Sequence, residues 1–202
     1  MLTRFLINLG EKKKFDREAF AVMSGGVGII CNILLAVFKF AVGKLSGSIS
    51  ITADALNNLS DVASNGVTIV GARLSKKPVD KEHPFGHGRM EYISALAVSA
   101  LILIMGFELA KSSVQKIINP EELNFSFVYI IILGASIIVK LWMAYFNNRL
   151  YKHTDNINLK AVRQDSLNDC ISTGATILAL CITHIFKIVW IDGAIGLCVA
   201  II

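Results

Sequence analysis

Charge is scarce in this sequence. Asp, Glu, Lys and Arg make up only 17% of its 202 residues, against 54% hydrophobic, and the mean hydropathy is +0.60. No stretch is polar enough to coat a separate soluble domain large enough to hold its own core. Proline is rarer still: Pro78, Pro84 and Pro120 all lie outside the long apolar runs. Cys31, Cys170, Cys181 and Cys198 share no CxxC spacing, so buried free thiols are the ordinary reading and say little about redox compartment. A signal peptide is missing too, because Met1–Leu9 is a short apolar run and Glu11-Lys12-Lys13-Lys14 follows without a small-residue cleavage site. There is neither a GxGD-type context nor a Ser/His nucleophile pair at membrane depth, which argues against an intramembrane hydrolase and against an enzyme generally.

What the chain has is apolar length. Runs near Val22–Val42, Ile49–Leu74, Tyr92–Ile118, Phe125–Tyr145 and Leu159–Ile182 are each long enough to cross the ~30 Å hydrocarbon layer as a helix. A sixth run opens near Ile188; from Asp192 to Ile202 it covers ~16 Å at ~1.5 Å per residue. The expected fold is an all-α polytopic membrane bundle of six helices with the sixth truncated. Residues 1–20 form an amphipathic cytoplasmic lead-in and residues 21–202 the transmembrane domain. Gly43 and Gly47 mark a tight turn before span two, and Asn119-Pro120 ends span three.

The net charge of +5 follows from topology and calls for no nucleic-acid partner. Arg4, Lys12, Lys13, Lys14 and Arg17 precede span one. Arg73, Lys76, Lys77, Lys81 and Arg89 lie between spans two and three, and Arg149, Lys152, Lys160 and Arg163 lie around the link from four to five. The opposite side has Lys44, Lys111, Lys116 and Lys187. This asymmetry puts the N-terminus in the cytoplasm.

The chemistry sits in spans two and five. Asn57 and Asp61 are four residues apart on one, and Asp165 and Asp169 repeat that spacing on the other. A carboxylate at bilayer depth costs at least ~2.5–3.5 kcal/mol, so it needs a functional reason. At ~100° per residue, Asp54, Asn57, Asn58, Asp61, Asn65 and Thr68 form one polar stripe. A second stripe holds Asp165, Asn168, Asp169, Ser172, Thr173 and Thr176. Interhelical hydrogen bonding accounts for Asn65, Thr68, Ser172 and Thr173. It does not account for three acidic groups at one depth, which need a cation, whether metal or protons. Carboxylate and amide oxygens without imidazole or thiolate suit Mn²⁺ first and Fe²⁺ next, ahead of Zn²⁺; Mg²⁺ is disfavoured because it keeps its waters. Asp54, one turn outward, is expected to cap or hydrate an access path.

Three segments carry a family resemblance. Span two reads Gly47-Ser-Ile-Ser-Ile-Thr-Ala-Asp-Ala-Leu-Asn-Asn-Leu-Ser-Asp61, the inner loop His83-Pro-Phe-Gly-His-Gly-Arg-Met-Glu91, and span five Gln164-Asp-Ser-Leu-Asn-Asp169. Together the chain resembles the cation diffusion facilitators over nearly its whole length. The resemblance implies a transport site at Asn57, Asp61, Asp165 and Asp169, with Asn57 and Asp165 looking like the manganese-exporting branch where zinc members usually place a histidine. It implies proton-coupled efflux by alternating access, a homodimer in the bacterial inner membrane, and no cofactor beyond the transported metal and its counter-protons. The family's cytoplasmic domain would follow where this chain ends. A zinc exporter of the same family is the main rival, and a passive cation channel a lesser one.

Asp80, His83 and His87 lie in the inner loop. Pro84 and Gly86 argue against a helix there, and two solvated histidines are the ordinary reading; the resemblance raises a peripheral metal site at these three residues. Lys39 and Lys140 fall inside spans one and four, where snorkelling is the default, with a Lys39–Glu108 pair as a weaker option. Trp142, Tyr145, Tyr151 and Trp190 are expected at span ends in an interfacial belt.

Overall fold

Apolar runs bounded by glycine, serine and proline become long helices in the computed structural model, which describes residues 2–12, 15, 17–75, 86, 90–120, 123–188 and 190–201. The order is α1 (Leu2–Lys12), α2 (Arg17–Ser46), α3 (Ile49–Ser75), α4 (Met90–Ile118), α5 (Phe127–Thr154), α6 (Ile157–Phe186) and α7 (Trp190–Ile201), with no strand among the described residues. The expected spans are all present, most extended by a turn or more. By length and composition, stretches within α2, α5 and α6 are long and apolar enough to cross a membrane, and α7 is a shorter apolar helix. The loop holding Asp80, His83 and His87 lies outside the described residues, so the peripheral site is untested.

The bundle is polar inside and apolar outside. Ile30, Phe38, Leu103, Phe107, Ile131, Ile138, Ile171 and Leu178 face outward, whereas Asn32, Lys39, Asp54, Asn58, Lys140, Asn147, Asp169 and Thr176 are buried. This inversion is what a lipid solvent selects, since polar groups find partners only among the helices. At one end, α1 docks by Leu6 and Ile7 against a cluster of Phe20, Phe146, Leu150 and Leu159, joining the ends of α2, α5 and α6. A second cluster of Val42, Ile51, Leu133 and Leu180 closes the other end.

Local signals set the helix ends. Gly47 takes φ +70°, open to glycine at little cost, and turns the chain between α2 and α3. Ser48 then caps α3, its Oγ accepting from Ile51 N at 3.2 Å. Gly43 permits the close approach of the two helices, because a Cβ there would lie 2.6 Å from Thr52 Oγ1. Ser126 caps α5 by accepting from Val128 N, and Asp155 in the left-handed region ends it. Trp142 and Tyr145 lie within α5, which runs on to Thr154; Trp142 stacks on Phe146 with ring centroids 5.6 Å apart.

Two buried ion pairs join helices, one consecutive and one distant in sequence. Lys39 of α2 meets Asp54 of α3 at 2.8 Å, and Thr173 of α6 bridges them, accepting from Lys39 Nζ at 2.9 Å and donating to Asp54 Oδ2 at 2.8 Å. Lys39 therefore does not snorkel; four methylenes carry its ammonium inward, and Glu108, exposed on α4, takes no part. At the other pair, Asp192 of α7 accepts from Lys116 of α4 at 3.0 Å. It also accepts from the backbone of Ile49 at 2.8 Å and from the hydroxyls of Ser48 and Ser50 at 2.5 Å each, so α7 supplies a cap for the first turn of α3. Lys116 additionally donates to the Gly47 carbonyl.

Removing one partner of such a pair leaves a buried charge uncompensated. Asp192→Ala and Lys39→Met should each lower unfolding stability in detergent micelles by about 3–5 kcal/mol. Adding Asp54→Leu to Lys39→Met should recover most of that loss. A Leu103→Ala control on the lipid-facing side should change little.

Candidate metal site

The helical spacing predicted for spans two and five places their acidic residues on facing stripes, and the fold brings α3 and α6 together. Carboxylate oxygens of Asp61, Asp165 and Asp169 all lie within 4.8 Å of one another. Asn57 joins them, its Nδ2 donating to Asp169 Oδ1 at 2.6 Å. The four residues singled out from the sequence thus converge on one spot. Asp169 is buried, Asp61 partly buried and Asp165 exposed, so access increases along α6 toward the end of the bundle where α1 docks. Asn57 and Ser60 also border a cleft of about 720 Å³ between α3, α4 and α7.

Deeper along both stripes the residues seal rather than open. Asp54 was expected along an access path, yet it is fully buried and held by Lys39 and Thr173. A carboxylate so enclosed meets no water-filled entrance; it ties α2, α3 and α6 together on the closed side of the cluster. Thr173, read as an interhelical stripe residue, bonds Lys39 and Asp54 across helices, whereas the buried Thr176 donates to the Ser172 carbonyl within α6. Asn168 instead turns to the exposed side, accepting from Gln164 at 3.2 Å.

One residue of the site was not expected there. Lys140 of α5 is buried, and its Nζ donates to Asp61 Oδ2 at 3.1 Å and to Asp169 Oδ2. The three carboxylates, expected to need a cation, thus have one ammonium among them, one positive charge for three acids. Sequence reasoning placed Lys140 at a helix end because span four was read as stopping at Tyr145. In the full-length α5, Lys140 falls in the middle, where snorkelling to either surface is out of reach. Its mid-helix position was the available signal.

The donor set is purely oxygen apart from that ammonium. Among the described residues no imidazole or thiolate joins the acidic cluster. Three clustered carboxylates and one lysine leave an excess of two negative charges, which one divalent cation would neutralise.

Comparison with known proteins agrees with this arrangement. A model of the cation efflux transmembrane domain matches residues 27–202. The magnetosome protein MamM of Magnetospirillum gryphiswaldense is 31% identical over 176 residues, which is 86% of this chain and 55% of that protein. The manganese efflux system protein MneS of Bacillus subtilis is 28% identical over 166 residues, 82% of this chain and 57% of its own length. Metal tolerance protein 2 of rice, Oryza sativa subsp. japonica, is 42% identical over a shorter stretch of 78 residues. The chain spans a little over half the length of MamM and MneS. With most of its residues matched by one transmembrane domain, this chain belongs to the cation efflux family.

Proposed function

We propose that the protein exports divalent metal ions, Mn²⁺ first and Fe²⁺ next, by alternating access coupled to protons. The observation that carries this reading is the convergence of Asp61, Asp165 and Asp169 with Asn57 on one spot within the bundle. Hard oxygen donors favour Mn²⁺ and Fe²⁺ over the softer ions, and the similarity to MneS, a manganese efflux system protein, supports manganese.

The cycle follows from the graded exposure. With the α1 end facing the cytoplasm, Asp165 meets the ion first and Asp61 and Asp169 draw it inward. Asn57 turns its amide to offer oxygen in place of the N–H that now bonds Asp169. Rearrangement then opens the opposite end, where protons from a more acidic exterior compete for the same carboxylates and release the metal. The protons return inward with the site. A homodimer in the bacterial inner membrane, with the N-terminus in the cytoplasm, is part of the proposal and accords with the charge asymmetry of the loops.

Zinc export remains the alternative, because Zn²⁺ outbinds Mn²⁺ at most nitrogen and oxygen sites. The two readings separate by flux rather than affinity. Liposomes holding the protein under an imposed pH gradient should accumulate Mn²⁺, and Asp61→Ala or Asp169→Ala should reduce that uptake to the protein-free background. Asn57→His should shift the Mn²⁺/Zn²⁺ flux ratio about tenfold or more toward zinc, the equivalent of ~1.4 kcal/mol. Uptake unaffected by either Asp substitution would refute the site, and a wild type that carries Zn²⁺ while excluding Mn²⁺ would install the alternative. Unitary currents in a voltage-clamped bilayer would mark a channel instead.

A further inference from the structure

Lys140 is an unusual companion for a metal site, because its ammonium sits on the oxygens the metal would need. It donates to Asp61 Oδ2 at 3.1 Å and to Asp169 Oδ2, while Asn57 Nδ2 holds Asp169 Oδ1 at 2.6 Å. Both oxygens of Asp169 and one of Asp61 are thus occupied by N–H donors. The side chain is 1% exposed, so water cannot stand in for this ammonium. Lys39 and Lys116 are also buried against aspartate, but each faces a single carboxylate on the closed side of the bundle or at its far end. Lys140 alone among these three lies at the cluster with an exposed member.

We infer that Lys140 is the tethered counter-ion of the empty site: its ammonium bonds Asp61 and Asp169 and offsets part of their charge when no metal is bound, and the metal binds by displacing it from those oxygens. This rests on the metal-site reading above. The exchange is physically reasonable because a dication attracts each carboxylate with twice the charge of an ammonium at similar distance. The lysine stem, with four methylenes and a compact head, can withdraw without moving α5. An internal competitor has two effects. It weakens apparent metal affinity, which favours release, and it returns to cover the acids once the metal has gone. The empty carrier then keeps Asp61 and Asp169 bonded to an ammonium.

A purely structural lysine makes the opposite forecast, since removing it would loosen the acid cluster and weaken binding. Mn²⁺ affinity measured by calorimetry on the purified protein in detergent distinguishes them. Lys140→Met should bind Mn²⁺ at least about tenfold more tightly than wild type, while Lys140→Arg, which keeps a competing cation, should bind no more tightly than wild type. Unchanged or weaker binding in a folded Lys140→Met protein overturns the inference. Should that variant not fold, wild-type protein carrying ¹⁵Nζ-lysine can be titrated with diamagnetic Zn²⁺, the Lys140 signal being assigned by its loss in Lys140→Arg. A shift of that signal on saturation supports displacement, and a stationary signal overturns it. A wild type that binds no divalent ion at all sinks the metal-site reading itself. A wild type that binds while Lys140→Met binds no tighter sinks only the exchange.

Discussion

An acidic side chain among apolar helices has to be met by positive charge, and the interior of this bundle is arranged around that requirement. Asp54 meets Lys39, Asp192 meets Lys116, and Asp61 and Asp169 share Lys140. The Lys116–Asp192 and Lys140–Asp61 contacts cross between helices remote in sequence, while Lys39–Asp54 and Lys140–Asp169 tie consecutive ones. The same electrostatic demand thus helps fix which helices are neighbours. Two of the three are matched one to one and shut away from solvent. The third has Asp165 at its open side and is short of positive charge. The two balanced pairs hold the bundle, and the third is left with an excess of negative charge.

Much of the fold was legible from apolar run length and turn chemistry. Gly47 and Asn119-Pro120 bound their helices where expected, because φ preferences act locally, whereas Gly43 lies inside α2. Helix phase likewise foretold that Asn57, Asp61, Asp165 and Asp169 could meet, since an i,i+4 pair keeps one face over a turn. The cationic half was not legible. Lys39 and Lys140 each occur alone in an apolar run, and a lone lysine reads as a snorkelling residue until its partner helix is known. Their pairings, like the choice between sealing and opening at Asp54, depend on which helices touch, and no local pattern encodes that. The length of span four was hidden for a related reason: α5 continues through Asn147, Asn148 and Arg149, polar residues that look like an end but lie on a helix still packed against neighbours.

The oxygen-only donor set bears on selectivity through hardness more than through affinity. Membership of the cation efflux family fixes the kind of scaffold, a transmembrane helical domain, while the residues at the cluster decide which ion suits it. Asn57 is the most informative of them. Its amide can offer either an acceptor or a donor by a half-turn of one torsion, so it serves a cation in one orientation and a carboxylate in the other. A carboxylate at that position would lack this neutral ambivalence.

The cap that Asp192 places on α3 has a mechanical corollary. Because its two oxygens grip the first turn of α3 while Lys116 of α4 grips Asp192, the three helix ends are riveted at a single residue. Widening of the bundle at that end cannot part α3 from α7 without stripping several donors at once. The yielding seam must lie elsewhere, and whichever helices swing away, these three travel as one plate.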